Sequence, residues 1–481
     1  MNIKSFLFDQ LTPVALYGEI KKIFPYEISM LFESVVISED GNFSFIAIGA
    51  KERLIFQNNQ TIFIDQCGDK ELVGDDPFKF LQEYYKKVDQ KFYKELSNGI
   101  GLDFIDGFIG FIAYDMVKVF EPTLRKSMDG LKDPLGSPDL DLIRPKIVIG
   151  YSHKSSELTV VDIDDTNREM FEKLEQLLPK PHRPMPFKPV ELEGEGEFTI
   201  SPKRFMEIVE EAKKHIRAGD IFQMLPSNRY IQRGRVDPLT FYRVLRGKNP
   251  SPYLFLLDYE EFSICGSSPE VMVKLKNEEI LLRPIAGTRK RGNTIQRDYE
   301  LEIEMLNDPK ECAEHLMLVD LGRNDVGRVA KVGSVKVPEM MRVEKYSHVM
   351  HMVSDVVGVI DDDKDMFDLF RATFTAGTMT GAPKIKAMEL IAKFEGLKRG
   401  FYSGSVGYFS FSGDMDSAIT IRTSLIKPDF IVLQAGAGVV ADSKSELEEL
   451  EVRNKLMALI ASLKEIELIE DSAIFLTKEQ R

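Results

Sequence analysis

Two pairs of glutamates carry a spacing that could hold a metal ion. In DPKECAEHLMLVD, Glu311 and Glu314 stand three residues apart, and in SELEELEVRNK so do Glu448 and Glu451. On a helix, an i, i+3 spacing puts both carboxylates of a pair on one face. Like charges placed so cost ~0.2–0.5 kcal/mol unless a cation lies between them. Lys455 extends the second face. An oxygen-only donor set divided between two helices suits Mg²⁺, which takes few protein carboxylates and completes its shell with water or substrate oxygens. Either pair alone reads equally as a solvated helix face.

Other groups suit an anion. RPIAGTRKRG, from Arg283 to Gly292, sets four basic side chains and two glycines around the small apolar Ala286. Tyr402 in RGFYSGS, Arg422 in ITIRT and the run Gly436, Ala437, Gly438 in QAGAGVV supply a hydroxyl, a guanidinium and closely approachable backbone amides. Arg422, flanked by apolar residues in what reads as a strand, wants a carboxylate, either from a ligand or from an internal acid. His348 and His351 in SHVMHMVS are candidates for moving a proton. AGTMTGAPK, Ala376 to Lys384, imitates a phosphate loop, but proline precedes its lysine and no hydroxyl follows, which argues against an ATP site.

The elements that must position these groups are legible as strands in hairpin-like groups. LFESVVISED, NFSFIAIGAK, NQTIFIDQCGD and PKIVIGYSHKSSELTVVDID are apolar stretches closed by turn residues, and DPFKFLQEYYKKVDQKF reads as a helix. SPKRFMEIVEEAKKHIRAGD spaces Phe205, Ile208, Val209, Ala212 and Ile216 as a helix, with a Ser-Pro start and a Gly219 stop. YLFLLDY, EFSICGSS, VMVKLK, SGSVGYFSFSG and FIVLQAGAGVV then read as strands, and a helix over ELEELEVRNKLMALIASLKEI closes the core. This grouping predicts an α+β fold with large antiparallel β-sheets packed together and helices outside. LLPKPHRPMPFKPVELEGEGEF, residues 177–198, breaks the composition and divides the chain into an N-terminal part, 1–176, and a longer C-terminal part, 199–465, with a tail at 466–481.

Composition limits the function classes. The chain has 481 residues, is 43% hydrophobic and carries a net charge of -14, which disfavours general nucleic-acid binding. Cys67, Cys265 and Cys312 lack metal-ligand spacing and read as small buried hydrophobes. With no signal-like N-terminus and no spanning run, the expected location is the cytoplasm, without membrane contact.

Taken in order, RPIAGTRKRG, EHLMLVDLGRNDVGRV, HVMHMVSDV, TFTAGTMTGAPKIKAMELI, GFYSGSVGYFSFSGDMDSAITIRT and QAGAGVVADS resemble the chorismate-utilising enzymes, from about Thr199 to Leu463. LFESVV and GFIGFIAYDMV resemble the N-terminal half of the larger members, and the nearest branch is the large subunits that make anthranilate. The resemblance implies chorismate as substrate and Mg²⁺ held by Glu314 and Glu451, with Glu311 and Glu448 supporting through water. It implies that Lys455 and the 436–438 backbone lie beside the ring carboxylate, and that Tyr402 and Arg422 bind the enolpyruvyl carboxylate. Glu270 in CGSSPE is implied as the general acid for the departing C4 hydroxyl, Thr288 as a pocket residue and His351 as the histidine of the later steps.

Two positions separate the branches. Water-using relatives place a lysine base where this chain has Gln223, and an amide cannot deprotonate water. The 4-amino branch commonly carries a lysine nucleophile where this chain has Ala286, which leaves ammonia to attack C2 directly. A 4-amino enzyme of folate synthesis and a non-catalytic tryptophan-binding homologue are the alternatives.

LFES, with Leu31, Glu33 and Ser34, and NPSPY, with Asn249, Pro250, Ser251 and Tyr253, resemble the family's tryptophan feedback pocket. The chain has no cysteine–histidine–glutamate glutaminase module. The resemblance therefore implies a separate glutamine amidotransferase subunit, in a heterotetramer of two large and two small chains.

Overall fold

The alternation of apolar residues along the strands places apolar side chains on both faces of the central sheet. The computed structural model describes residues 1–34, 43–180, 182, 185–188, 190–346 and 349–468. Within Ser29–Glu33, Met30 joins one apolar cluster and Leu31 the other. Phe45 and Ala47 likewise oppose Ile46 and Ile48, and Phe255 and Leu257 oppose Leu254 and Leu256. A period of two with both sets buried is the signature of a sheet covered on each side. The fold is α+β with large antiparallel sheets, as the hairpin grouping predicts.

The fifteen-residue strand Phe43–Gln57 is the junction. Through Ser29–Glu33 the sheet continues antiparallel to Tyr253–Asp258, Ser263–Ser268, Thr423–Ile426, Phe430–Gly436 and Ser227–Arg235. On its other side it continues through Leu140–Ser152 and Gly107–Ile112 to Ser405–Ser410, Met415–Ile419 and Val271–Lys276. Strands from before and after the proline-rich stretch therefore pair directly. Three short strands, Ile285–Lys290, Arg342–Lys345 and Val349–Val353, form a separate antiparallel sheet.

The helix Pro202–Arg217 begins as its spacing predicts, with the Ser201 hydroxyl accepting from the Arg204 amide and Phe205, Ile208, Val209 and Ala212 buried. It packs beside Ser445–Glu467, which lies on the strand Phe430–Gly436.

Three sequence expectations change. DPFKFLQEYYKKVDQKF is two helices, Pro77–Tyr85 and Gln90–Ile100, because Asp89 captures the Phe92 amide and starts a second helix in mid-pattern. Cys67 is exposed, in a turn where its amide donates to Asp65. The stretch 177–198 is pinned where it is described: Phe187 is buried beneath the Arg243 guanidinium at 3.9 Å, and Arg243 donates to the Met185 and Pro186 carbonyls. Its short strands Glu191–Leu192 and Glu197–Phe198 pair with Ser227–Arg235. Among the described residues no helix is long and apolar enough to cross a membrane. His348, the strand reading of 35–42 and most of the 466–481 tail lie outside the described residues.

Candidate active site

Groups scattered over more than 230 residues of sequence line one cavity of about 480 Å³. Gln223, Glu270, Ala286, Thr288, Glu314, His351, Tyr402, Arg422, Gly436, Gly438, Glu451 and Lys455 all reach it. Glu314 and Glu311 come from the helix Pro309–Gly327, and Glu448 and Glu451 from Ser445–Glu467, so each pair shares a helix as its spacing predicts.

The acidic end is electrostatically unfinished. Burial holds Glu314 above the usual carboxylate range, with Glu311 and then Glu451 pushing the same way. Burial also raises Glu448, reinforced by Glu451. The cations nearest these groups are the chain's own: Arg289 donates to Glu311 at 2.6 Å, and Lys455 lies 2.7 Å from Glu451 while donating to the Gly436 carbonyl at 2.9 Å. Gln223 donates its amide to Glu314 at 3.2 Å, and its own carbonyl oxygen is buried without a partner. No three His, Cys, Asp or Glu among the described residues make a ready-made metal cluster. An all-oxygen set that repels itself across two helices nevertheless fits Mg²⁺, whose shell is completed by water and substrate.

Glu270 lines the same cavity, its carboxyl pushed up to about 7 by burial, against the lowering effects of a hydrogen bond from Thr378 and of the Arg422 and Lys455 charges. The Thr378 hydroxyl donates to Glu270 at 3.2 Å. A carboxyl so placed is partly protonated near neutrality and can donate a proton. Arg422 departs from expectation. It lies not on a strand but in the break between Met415–Ile419 and Thr423–Ile426, with φ +49°. Its guanidinium is solvent-accessible inside the cavity and forms no ion pair among the described residues. The internal acid whose charge acts on it is Glu270, with no ion pair closed between them among the described residues, and the left-handed backbone takes it out of the ladder.

The small three-stranded sheet brings Ala286, Thr288 and His351 to the wall. A bulge lies between Ala286 and Thr288, whose partners are Met352 and His351. Gly287 occupies the bulge at φ +65°, where a Cβ would come within 2.8 Å of Glu311, so both conformation and space demand glycine. The Gly287 carbonyl accepts from His351 Nδ1 at 3.0 Å, with Thr288 Oγ1 3.1 Å away, which leaves the lone pair on Nε2. Burial lowers the His351 pKa, so the ring is neutral near pH 7.

Of the run 436–438, the two glycines line the cavity and Ala437 does not. Ala437 is fully buried, and its amide is already donated to the Pro226 carbonyl at 3.2 Å. A Cβ on Gly436 would meet the Pro226 oxygen at 2.7 Å and the Tyr402 hydroxyl at 3.1 Å. Lys384, the lysine of the apparent phosphate loop, is bound to Asp325 at 2.6 Å. Sequence reading missed Thr378 within that same loop. Its hydroxyl pair with Thr380 was the available signal, and only the partner 108 residues away gives it meaning.

A second cavity, about 430 Å³, lies beyond the shared wall residues Pro269 and Tyr346. Glu33, Ser34 and Tyr253 line it. Asn249, Pro250 and Ser251 instead line the first cavity, so NPSPY runs along the partition. Leu31 is fully buried in the core and reaches neither cavity. Glu33 accepts from Tyr242 at 2.6 Å and Arg246 at 2.9 Å through one oxygen, while its other oxygen is buried without a partner.

Comparison with known proteins identifies the family. The model of the family described as chorismate binding enzyme matches residues 33–461. Anthranilate synthase component 1 of Acinetobacter calcoaceticus is 40% identical over 482 residues, covering 95% of this chain and 93% of the relative. That of Aquifex aeolicus is 40% identical over 488 residues, covering 97% and 94%. The crystal structure of anthranilate synthase component I from Streptococcus pneumoniae aligns with a TM-score of 0.77 at 33% identity, covering 95% of this chain and all of that one. With a family match over nearly its whole length and the family's acidic and basic groups converging on one cavity, this chain belongs to the chorismate-binding enzymes.

Proposed function

We propose that the chain is the large subunit of an anthranilate synthase, converting chorismate and ammonia to anthranilate and pyruvate. The observation that carries this reading is a cavity lined by Glu270, partly protonated near neutrality, and by one glutamate from each helical pair, Glu314 and Glu451. The two positions where a lysine would redirect the chemistry hold an amide, Gln223, and a methyl group, Ala286.

Glu314 and Glu451 would hold Mg²⁺, with Glu311 and Glu448 supporting, and the ion would supply positive charge for the ring carboxylate of chorismate. Arg422 and Tyr402 take the enolpyruvyl carboxylate, which closes an ion pair with the guanidinium. Ammonia forms a C–N bond at C2, the ring double bonds shift, and the C4–O bond breaks as Glu270 delivers its proton to the leaving hydroxyl, which departs as water. Proton loss from C2 and departure of the enolpyruvyl group as pyruvate then aromatise the ring. Neutral His351, held through Nδ1 by Gly287, serves these later steps.

Residues 199–465 form the substrate region, and residues 1–176, joined through 177–198 and followed at the far end by the 466–481 tail, contribute to the second cavity. Tryptophan occupies that cavity as feedback inhibitor, its ammonium meeting the unpartnered oxygen of Glu33. Ammonia comes from glutamine through a separate amidotransferase subunit in a cytoplasmic assembly of two large and two small chains.

The test is incubation of the purified chain with chorismate, Mg²⁺ and ammonium, watching for anthranilate fluorescence. Anthranilate is expected, abolished by chelation of the metal. A 4-amino product points to the folate branch, salicylate or isochorismate to water as nucleophile, and no product to a non-catalytic tryptophan binder; each overturns the proposal. Ala286→Lys is expected to abolish anthranilate formation, and unchanged output removes Ala286 from the neighbourhood of C2.

A further inference from the structure

Beneath the wall of the substrate cavity lies an arginine that touches none of its space. Arg399 is 1% exposed, and each of its guanidinium protons finds an acceptor. Nε donates to Glu395 at 3.0 Å and Nη2 to the other oxygen of Glu395 at 2.7 Å. Nη2 also donates to the Leu225 carbonyl at 2.6 Å, and Nη1 to the Met379 carbonyl at 2.9 Å and the Ser403 hydroxyl at 3.3 Å. The guanidinium lies 5.6 Å from the centre of the Tyr402 ring.

Those acceptors belong to three segments far apart in sequence, each holding a group that lines the cavity. The first is Gln223 to Leu225, the second the turn Gly377–Thr380 with Thr378, and the third the loop with Tyr402. Met379 directly follows Thr378, so fixing its carbonyl fixes where the Thr378 hydroxyl meets Glu270. Glu395 extends the linkage, accepting from the Ser227 amide at 2.8 Å and hydroxyl at 2.9 Å. A buried ion pair contributes little net stability compared with apolar residues of the same shape. A fork satisfied at every proton, bridging three walls, is suited instead to fixing distances between them.

We propose that Arg399, with Glu395 as counter-ion, is a positioning residue that fixes the Thr378–Glu270 contact and the Tyr402 ring relative to one another. The inference rests on the proposed amination of chorismate.

Four variants test it: Arg399→Lys, the apolar pair Arg399→Met with Glu395→Leu, Thr378→Val alone, and Thr378→Val combined with the pair. Thermal midpoints establish folding, and turnover is measured against pH at fixed free ammonia. The apolar pair is expected to melt near the wild-type temperature yet lose about 100-fold in kcat, the scale of a misplacement of roughly 1 Å, with KM changing less. Arg399→Lys keeps the charge but not the fork and is expected to fold and to show the same loss, which serves if the apolar pair fails to fold. Because Arg422 and Lys455 still face Glu270, only the Thr378 contribution is removed. The alkaline limb of the pH profile therefore moves upward, as in Thr378→Val alone. Adding Thr378→Val to the pair is expected to cost little more. Folded variants with unchanged kcat, an unmoved limb, or losses that multiply with Thr378→Val overturn the inference. A wild-type chain that makes no anthranilate overturns the proposed function instead, and the inference with it.

Discussion

The two cavities are nearly equal in size and share a wall, yet they treat charge in opposite ways. In the second, charged groups are largely neutralised within the protein: Tyr253 donates to Asp416 at 2.9 Å, and Arg283 to Asp355 at 2.7 Å. Phe32, Phe43, Phe45 and Tyr408 supply much of the remaining lining. In the first, charge is left for something else to complete. Arg422 closes no ion pair among the described residues, Glu270 is held near its protonation midpoint, and Glu314 and Glu451 repel their neighbours Glu311 and Glu448. A site that only binds can settle its polar groups in advance. A site that does chemistry keeps them unsettled until substrate arrives, at a cost in stability.

The contrast breaks most sharply at Glu270. Glu270→Gln keeps shape but has no proton to give, and kcat is expected to fall about 1,000-fold, within the usual range for a lost general acid. Tryptophan binding by calorimetry should not change. In the unmodified chain, turnover at fixed free ammonia should decline as pH rises through about 7, where Glu270 loses its proton. Arg422→Ala comes next: kcat/KM for chorismate is expected to fall about 100-fold, from roughly 3 kcal/mol of charge-assisted bonding. Ser34→Phe acts only on the other side, raising the tryptophan needed for half-inhibition by at least about 10-fold while leaving kcat in place, since a loss of ~1.4 kcal/mol or more is expected from steric exclusion. Unchanged inhibition removes tryptophan from the second cavity.

The smallest effect is on stability. A buried carboxyl raised from 4.5 to about 7 binds its proton more tightly in the folded than in the unfolded chain. Stability from this group is therefore lost as pH rises from 4.5 towards 7, by a few kcal/mol at most. Glu270→Gln should accordingly melt a degree or so higher than the parent at pH 8. Calorimetry at pH 4 should find that advantage gone.

Much of this was legible in the sequence, and the exceptions share a cause. Strand grouping gave the α+β class because hairpin signals are local. Glu311 with Glu314, and Glu448 with Glu451, were legible because helical geometry alone puts each pair on one face. Arg422 was misread because a single left-handed residue interrupts an apolar run without leaving a compositional mark. Leu31 was grouped with Glu33 by proximity in sequence, but tertiary packing buries it wholly in the core. Ala437 was grouped with its glycine neighbours, but the Pro226 carbonyl had already taken its amide. Arg399 could not be read at all and Thr378 offered only its spacing from Thr380, since the partners that give them meaning arrive from other segments once the sheet has closed.

Tyr346 and Pro269 face both cavities, and that shared wall has a thermodynamic consequence. If an occupant of one cavity displaces the wall, it changes the affinity of the other by a factor that must be the same in both directions. Tryptophan that weakens chorismate tenfold, say roughly 1.4 kcal/mol of coupling, is itself weakened tenfold by chorismate. Were tryptophan the occupant, as proposed, its potency would not be a constant of the protein: it would fall as chorismate accumulates, so that turnover would follow the balance of the two.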